Sequence, residues 1–192
     1  MLQLNNNTPF AASMELLADE QGVDTLYVTV KASFEIGAKW SLLDEQIPPQ
    51  AEDIYWGEAG ESSLKYPSDV HLGKASTDIV MLGSACAPRG QQATYLDVAL
   101  RVGSVAKTIR VFGDRQWLDG RITAPQPFEA MPLIYERAYG GSYRQDDEVV
   151  SVEMRNPLGC GYAGEATVEE MNGSTLPNLE DPNNLIQTIK DH

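Results

Sequence analysis

Apolar residues recur along this chain mainly with a period of two. From Leu26 to Ile36, Leu26, Val28, Val30, Ala32, Phe34 and Ile36 alternate with Tyr27, Thr29, Lys31, Ser33 and Glu35. Such alternation puts one set of side chains on each face of a strand, and we expect Leu26, Val28 and Val30 to face the core. Phe10–Leu17 reads as a preceding strand, closed by Asp19-Glu20-Gln21-Gly22, and Trp40–Leu43 as a returning one. Tyr95–Val102 alternates again, with Leu96, Val98 and Leu100 on the inner side. Gly103-Ser104 then turns the chain into Lys107–Phe112, an antiparallel hairpin. Ile79, Val80, Met81 and Leu82 give Thr77–Ala85 strand character. Helical periodicity is sparse. Thr167–Met171 fits one turn, and Asn183–Lys190 fits a short helix after Pro182. Short strands between frequent turns predict a mainly β fold, an antiparallel sandwich or distorted barrel with long loops and little helix.

Two stretches break this rhythm. Ile47–Gly73 carries Pro48, Pro49, Gly57, Gly60 and Pro67, and reads as a long surface excursion pinned by Tyr55, Trp56 and Tyr66. Ala124–Gly161 is a Pro/Gly-rich arm. Pro125, Pro127 and Pro132 force it to run extended, with a short strand expected near Leu133–Ala138. Gly140-Gly141 opens backbone angles closed to other residues, and Asn156-Pro157-Leu158-Gly159-Cys160-Gly161 reads as consecutive tight turns. On a strand, Glu136 and Arg137 would point to opposite faces. Each then needs its own partner, and Glu153 or Asp146-Asp147-Glu148 are candidates for Arg137. We expect Arg137 to tie the arm to the Asn156–Gly161 turns. A rigid loop fixing two strands and a moulded recognition surface both fit the arm.

The length of 192 residues suits one domain, or one domain with an appended lobe, and we expect a single β-rich domain, 1–192, with a core supported by 42% hydrophobic content. The net charge of −14 argues against nucleic acid as a partner. That charge is uneven. Cys86–Phe128 holds six Lys/Arg against three Asp/Glu, an excess of +3, while Glu129–His192 holds four against twelve, a deficit of −8. No apolar run is long enough for a membrane helix, and the first residues lack the pattern of a secretory signal. Cys86 and Cys160 are too few for a disulfide framework and lack metal-ligand spacing. A reducing cytoplasm is the expected compartment.

Catalytic chemistry is poorly represented. His71 sits in a loop and His192 at the end, so a His-based triad or metal site lacks partners. Gly159-Cys160-Gly161 is no dinucleotide fingerprint, and neither cysteine has a His to activate it. Glu180-Asp181 could serve a carboxylate hydrolase only if two carboxyls faced each other across a cleft. Trp40, Trp56 or Trp117 could form a carbohydrate-stacking platform. No cofactor and no metal is expected.

Several separated runs carry a family likeness: TDIVMLGSACAPRG, VFGDRQWLDG, PQPFEAMPLIYERAYGG, NPLGCGY and LPNLEDP, in that order between Thr77 and Pro182. Together they resemble a DUF-type family encoded beside PAAR-repeat and VgrG spike proteins in bacterial type VI secretion clusters. The resemblance implies a non-enzymatic adaptor that stabilises a toxic effector and helps load it onto the spike. It implies as partners an effector protein and PAAR/VgrG components, and a chain continuing beyond residue 192. The matching positions, as expected fold and interface determinants, are Trp117, Pro127, Phe128, Pro132, Tyr135, Glu136, Arg137, Gly140, Gly141, Asn156, Pro157, Gly159, Gly161, Pro177, Asn178, Glu180 and Pro182. Tyr139, between Arg137 and the glycine pair, joins the expected binding set. A carboxylate hydrolase acting on envelope polysaccharide and a carbohydrate-binding β-sandwich are the alternatives.

Overall fold

The structure is a computed structural model that describes residues 2–71 and 73–189. It is mainly β, built from small, mostly antiparallel sheets of two or three strands. Among the described residues no barrel closes. The chain divides into two compact units, Met1–Trp56 with Leu64–Ile79, and Gly57–Ser63 with Val80–His192.

The first unit is organised by an antiparallel hairpin of β1 (Ala11–Ala18) and β2 (Asp24–Lys31). Asp19 closes the connection, its Oδ1 accepting the N–H groups of Gln21 and Val23, both at 2.9 Å. Two-residue strands β3 (Phe34–Glu35) and β4 (Ser41–Leu42) pair next, then β5 (Ile54–Tyr55) with β6 (Leu64–Tyr66). The alternation of β2 is real, but its sense is the reverse of that expected. Leu26, Val28 and Val30 are 45, 53 and 59% exposed, and Thr25, Tyr27, Thr29 and Lys31 are the half-buried set. The polar face is anchored through Lys31, whose Nζ meets Asp69 Oδ2 at 2.6 Å. Period two fixes which residues share a face, not which face is covered. The loop around Asp69 is itself laced by hydrogen bonds: Asp69 accepts Gln50 N–H at 2.7 Å, and Ser68 N–H donates to Asp53 at 2.7 Å.

The second unit begins, after Val80, with β7 (Ser84–Cys86), the only part of Thr77–Ala85 and its flank that pairs as a strand. A hairpin of β8 (Tyr95–Val102) and β9 (Val105–Phe112) follows in the expected register, closed by Gly103-Ser104. Leu96, Val98 and Leu100 take its inner side and are half-buried. β10 (Trp117–Leu118) and β11 (Arg121–Ile122) form a tight hairpin whose Asp119 and Gly120 both have positive φ, the type I′ geometry that Asp-Gly favours. β12 (Ala130–Pro132) pairs with β7. β13 (Tyr139–Gly140) runs parallel to β16 (Cys160–Gly161), with the hairpin of β14 (Ser142–Gln145) and β15 (Glu148–Val152) between them. β17 (Leu179–Glu180) adds to β9, giving a sheet of order β17-β9-β8.

Two apolar clusters hold this unit. Ala85, Val111, Phe128 and Met131 form one, flanked by Leu96, Val98, Ile109, Leu133 and Leu179. Trp117, Ala163, Met171, Leu176 and Ile186 form the other. Trp117 is only 2% exposed, so it is a core anchor and not a stacking platform. Thr167–Met171 makes one helical turn, with Thr167 and Glu170 exchanging side chain-to-backbone hydrogen bonds in a capping box. The helix expected from Asn183 is absent over the described residues, and Lys190 lies outside them. Glu180 Oε2 captures the N–H of Ile186 at 2.8 Å, and Ile186 packs into the Trp117 cluster, which diverts the chain from helical geometry. His192 also lies outside the described residues.

Candidate functional site

The arm does not form the strand expected at Leu133–Ala138. Tyr135–Arg137 is a single 3₁₀ turn between β12 and β13, so Glu136 and Arg137 are not on opposite strand faces. Asn156 locks this turn. Its Nδ2 donates to Tyr135 O at 2.8 Å and Tyr139 O at 3.0 Å, while its own carbonyl accepts from Gly141 at 2.9 Å and Gly159 at 3.1 Å. The contact requires glycine. A Cβ on Gly140, at φ +151°, would collide with Asn156 O, and one on Gly159 would meet Ala138 O at 2.6 Å. Asn156, rather than Arg137, therefore joins the arm to the Asn156–Gly161 turns.

Arg137 reaches the other way. Its Nη1 donates to Asn178 Oδ1 at 2.9 Å and lies 3.5 Å from Asp114 Oδ1. Neither Glu153 nor the 146–148 insert is its partner. Asn178 is buried and fully engaged, its Nδ2 donating to Phe112 O at 3.1 Å and Asp114 Oδ1 at 3.0 Å. Its backbone bridges Arg137 O and Phe112 N–H, both at 2.8 Å. Glu136 turns to Ser63, accepting its N–H at 2.7 Å and its Oγ–H at 2.8 Å. Partial burial opposes the charged Glu136, but the Ser63 hydrogen bonds outweigh it and hold the carboxyl below its ordinary range.

These residues wall a cleft of about 680 Å³. Arg115, Arg137, Asn178, Asp114 and Glu136 line it, with Cys160, Ile134 and the neutral polar Gln116, Thr123, Gln126 and Thr175. Arg115 lies beneath, its side chain 5% exposed against 2% for its ion-pair partner Glu180. One nitrogen, Nη2, serves both Glu180 Oε1 and Pro177 O, and the guanidinium lies 3.8 Å from the Phe112 ring centroid. Burial pushes the Cys160 thiol up to about 11, although Arg137 and Arg115 pull against it, so this sulfur stays protonated at neutral pH. Burial, helped by Glu153, likewise raises Tyr139 to about 12. Among the described residues no three His, Cys, Asp or Glu are placed to share a metal ion. Glu180 is buried in its ion pair and Asp181 caps Asn183 on the surface, so these two do not face across a cleft.

Of the expected binding set, the cleft gathers Glu136, Arg137 and Asn178. Trp117, Phe128, Gly140, Gly141 and Glu180 are buried within the fold, whereas Asn156 and Gly159 form the interlock and Gly161 pairs with Gly140 and lies against Pro177. Tyr139 is half-buried, Pro157 is exposed, and Tyr135 is 62% exposed outside the lining. Asp114, Arg115 and Gln116, all within the VFGDRQWLDG run, line the cleft and lie outside the expected binding set. Arg137 uses one nitrogen of its planar fork, and its other N–H groups remain available for a carboxylate or a row of carbonyls. The cleft thus combines the charged Arg137, Asp114 and Glu136 with neutral amides and hydroxyls over a partly apolar lining.

The model of a family described as "Uncharacterized protein conserved in bacteria" (DUF2169) matches residues 21–192. No curated protein and no solved structure matches the chain.

Proposed function

The chain belongs to the DUF2169 family of bacteria, and we propose that it is an adaptor of type VI secretion. In this reading it binds and stabilises a toxic effector and helps load it onto the PAAR/VgrG spike in the cytoplasm, with no catalysis of its own. One observation carries the reading: Arg137 is held at the wall of a cleft with most of its donors unspent. A guanidinium fixed by Asn178 and backed by the interlocked Asn156–Gly161 turns is preorganised, which lowers the ordering cost of capturing an extended partner segment. The motif runs shared with the adaptor family support the same role. No helix among the described residues is long and apolar enough to cross a membrane. Co-expression with the effector encoded beside a PAAR or VgrG gene tests the proposal. We expect the effector to become soluble and to co-purify. An effector equally soluble without the adaptor, and not retained by it, would overturn the assignment.

A further inference from the structure

The β17-β9-β8 sheet ends at β8, an eight-residue strand without proline or bulge. Among the described residues no strand pairs with its outer edge. Gly103, at φ +60°, begins the two-residue turn closing Val102 on Val105. In such a hairpin the closing pair is hydrogen-bonded and the pattern alternates from it. The backbone groups of Leu96, Val98, Leu100 and Val102 therefore point toward β9. Those of Tyr95, Asp97, Ala99 and Arg101 point outward, presenting a row of unpaired donors and acceptors.

We propose that this edge pairs with the same edge of a second copy, joining two three-stranded sheets into one of six. The strand sequence is self-complementary about Ala99. An antiparallel partner centred there sets outward-facing residues against each other, as ladder geometry demands. It places Asp97 of each copy opposite Arg101 of the other. Asp97 already accepts two hydrogen bonds from Arg110, at 2.7 and 2.8 Å, and the partner Arg101 extends this into an Arg–Asp–Arg row. Among the described residues Arg101 has no carboxylate partner, only a 3.4 Å contact to Gly103 O. Moving the register by two residues in either direction sets Asp97 or Arg101 against Ala99 and loses both charge pairs. On the inner face the same register sets Leu96 opposite Val102 and Val98 opposite Leu100. Val102 is 49% exposed at the hairpin tip, so it gains the cover it lacks. The edge belongs to the Cys86–Phe128 segment, whose +3 excess is unlike the acidic chain around it. Mutual repulsion of two chains of net charge −14 is screened beyond about 8 Å at physiological salt.

Sedimentation equilibrium of the full chain in about 0.15 M salt tests the pairing. We expect a concentration-dependent dimer for the wild type. Arg101→Glu replaces two attractive cross-strand pairs with two repulsive ones and should weaken dimerisation by roughly tens-fold. Its side chain is exposed, so circular dichroism should show an unchanged fold, and melting should match wild type at concentrations where the wild type is monomeric. Ala99→Pro removes only an outward N–H and should also give monomers. Mixing Arg101→Glu with Asp97→Lys should restore dimer mass, because each mutant edge then complements the other. A wild type that stays monomeric up to about millimolar concentration, the weakest association of interest, would overturn the proposal. So would an Arg101→Glu variant that dimerises as tightly as wild type.

Discussion

The Arg115–Glu180 pair offers the sharpest prediction about stability. Both side chains are almost fully removed from water, at 5 and 2% exposure, and Glu180 also holds the N–H of Ile186 in the Trp117 cluster. Glu180→Gln keeps the shape and an oxygen for the Ile186 N–H, but leaves the Arg115 guanidinium buried without its counter-charge. Breaking a buried pair from one side typically costs about 3–5 kcal/mol. A chain of this length shifts about 2–4 °C per kcal/mol, so melting should fall by about 6–20 °C. Replacing both members tests the reasoning further. In Arg115→Met/Glu180→Met no charge is left buried, and an apolar substitute for an ion pair is often neutral or better. Pro177 O would still lose its donor and the Ile186 N–H its acceptor, each at about 1–3 kcal/mol, so the double variant should lose clearly less than the summed losses of Arg115→Met and Glu180→Met alone. Urea and thermal unfolding of wild type, Glu180→Gln, the two Met singles and the double variant measure this. A Glu180→Gln variant within about 1 kcal/mol of wild type, or a double loss equal to the sum of the two Met singles, would refute the account.

Three further expectations follow from particular contacts. Glu136→Gln should destabilise the protein at neutral pH and lose that effect in acid. The depressed Glu136 carboxyl contributes stability that is present above its ordinary value of 4.5 and lost as pH falls through its lower folded value; paired urea curves at pH 7 and in acid would show the gap closing. Cys86 is exposed whereas the Cys160 thiol is half-buried and raised to about 11, so a thiol reagent near neutral pH should label one cysteine fast and the other slowly, and two equal rates would contradict the structure. Val28→Thr on the open face of β2 should change stability by less than about 0.5 kcal/mol, whereas Met131→Ala in the core should cost about 2–5 kcal/mol, both read from chemical unfolding.

The residue pattern carried the hairpins and missed the layering. In β8–β9 the alternation, the Gly-Ser turn and the inner face of Leu96, Val98 and Leu100 all hold, because a two-residue turn fixes the register locally. In β2 the same alternation gives no information on which side another layer lies, and the expected face was inverted. At the arm, prolines and glycines marked an irregular, tightly turned segment correctly, and Gly140, Gly159 and Asn156 interlock as the turn chemistry suggests. Partner choice was illegible, because it depends on residues far along the chain. Glu136 meets Ser63 and Arg137 meets Asn178, separated by 73 and 41 positions. The role of Arg115 is hidden in the sequence for the same reason: its partners, Pro177 and Glu180, lie 62 and 65 residues away.

The adaptor reading turns on whether the Arg137 cleft holds a partner segment. Calorimetric titration of the purified effector into wild type and Arg137→Lys measures this most directly. Lysine keeps the charge, and one donor for Asn178, but loses the planar fork. The account predicts wild-type melting behaviour for Arg137→Lys together with binding weakened by about tenfold or more, the value of one charge-assisted hydrogen bond. Equal affinity for the two proteins would contradict it.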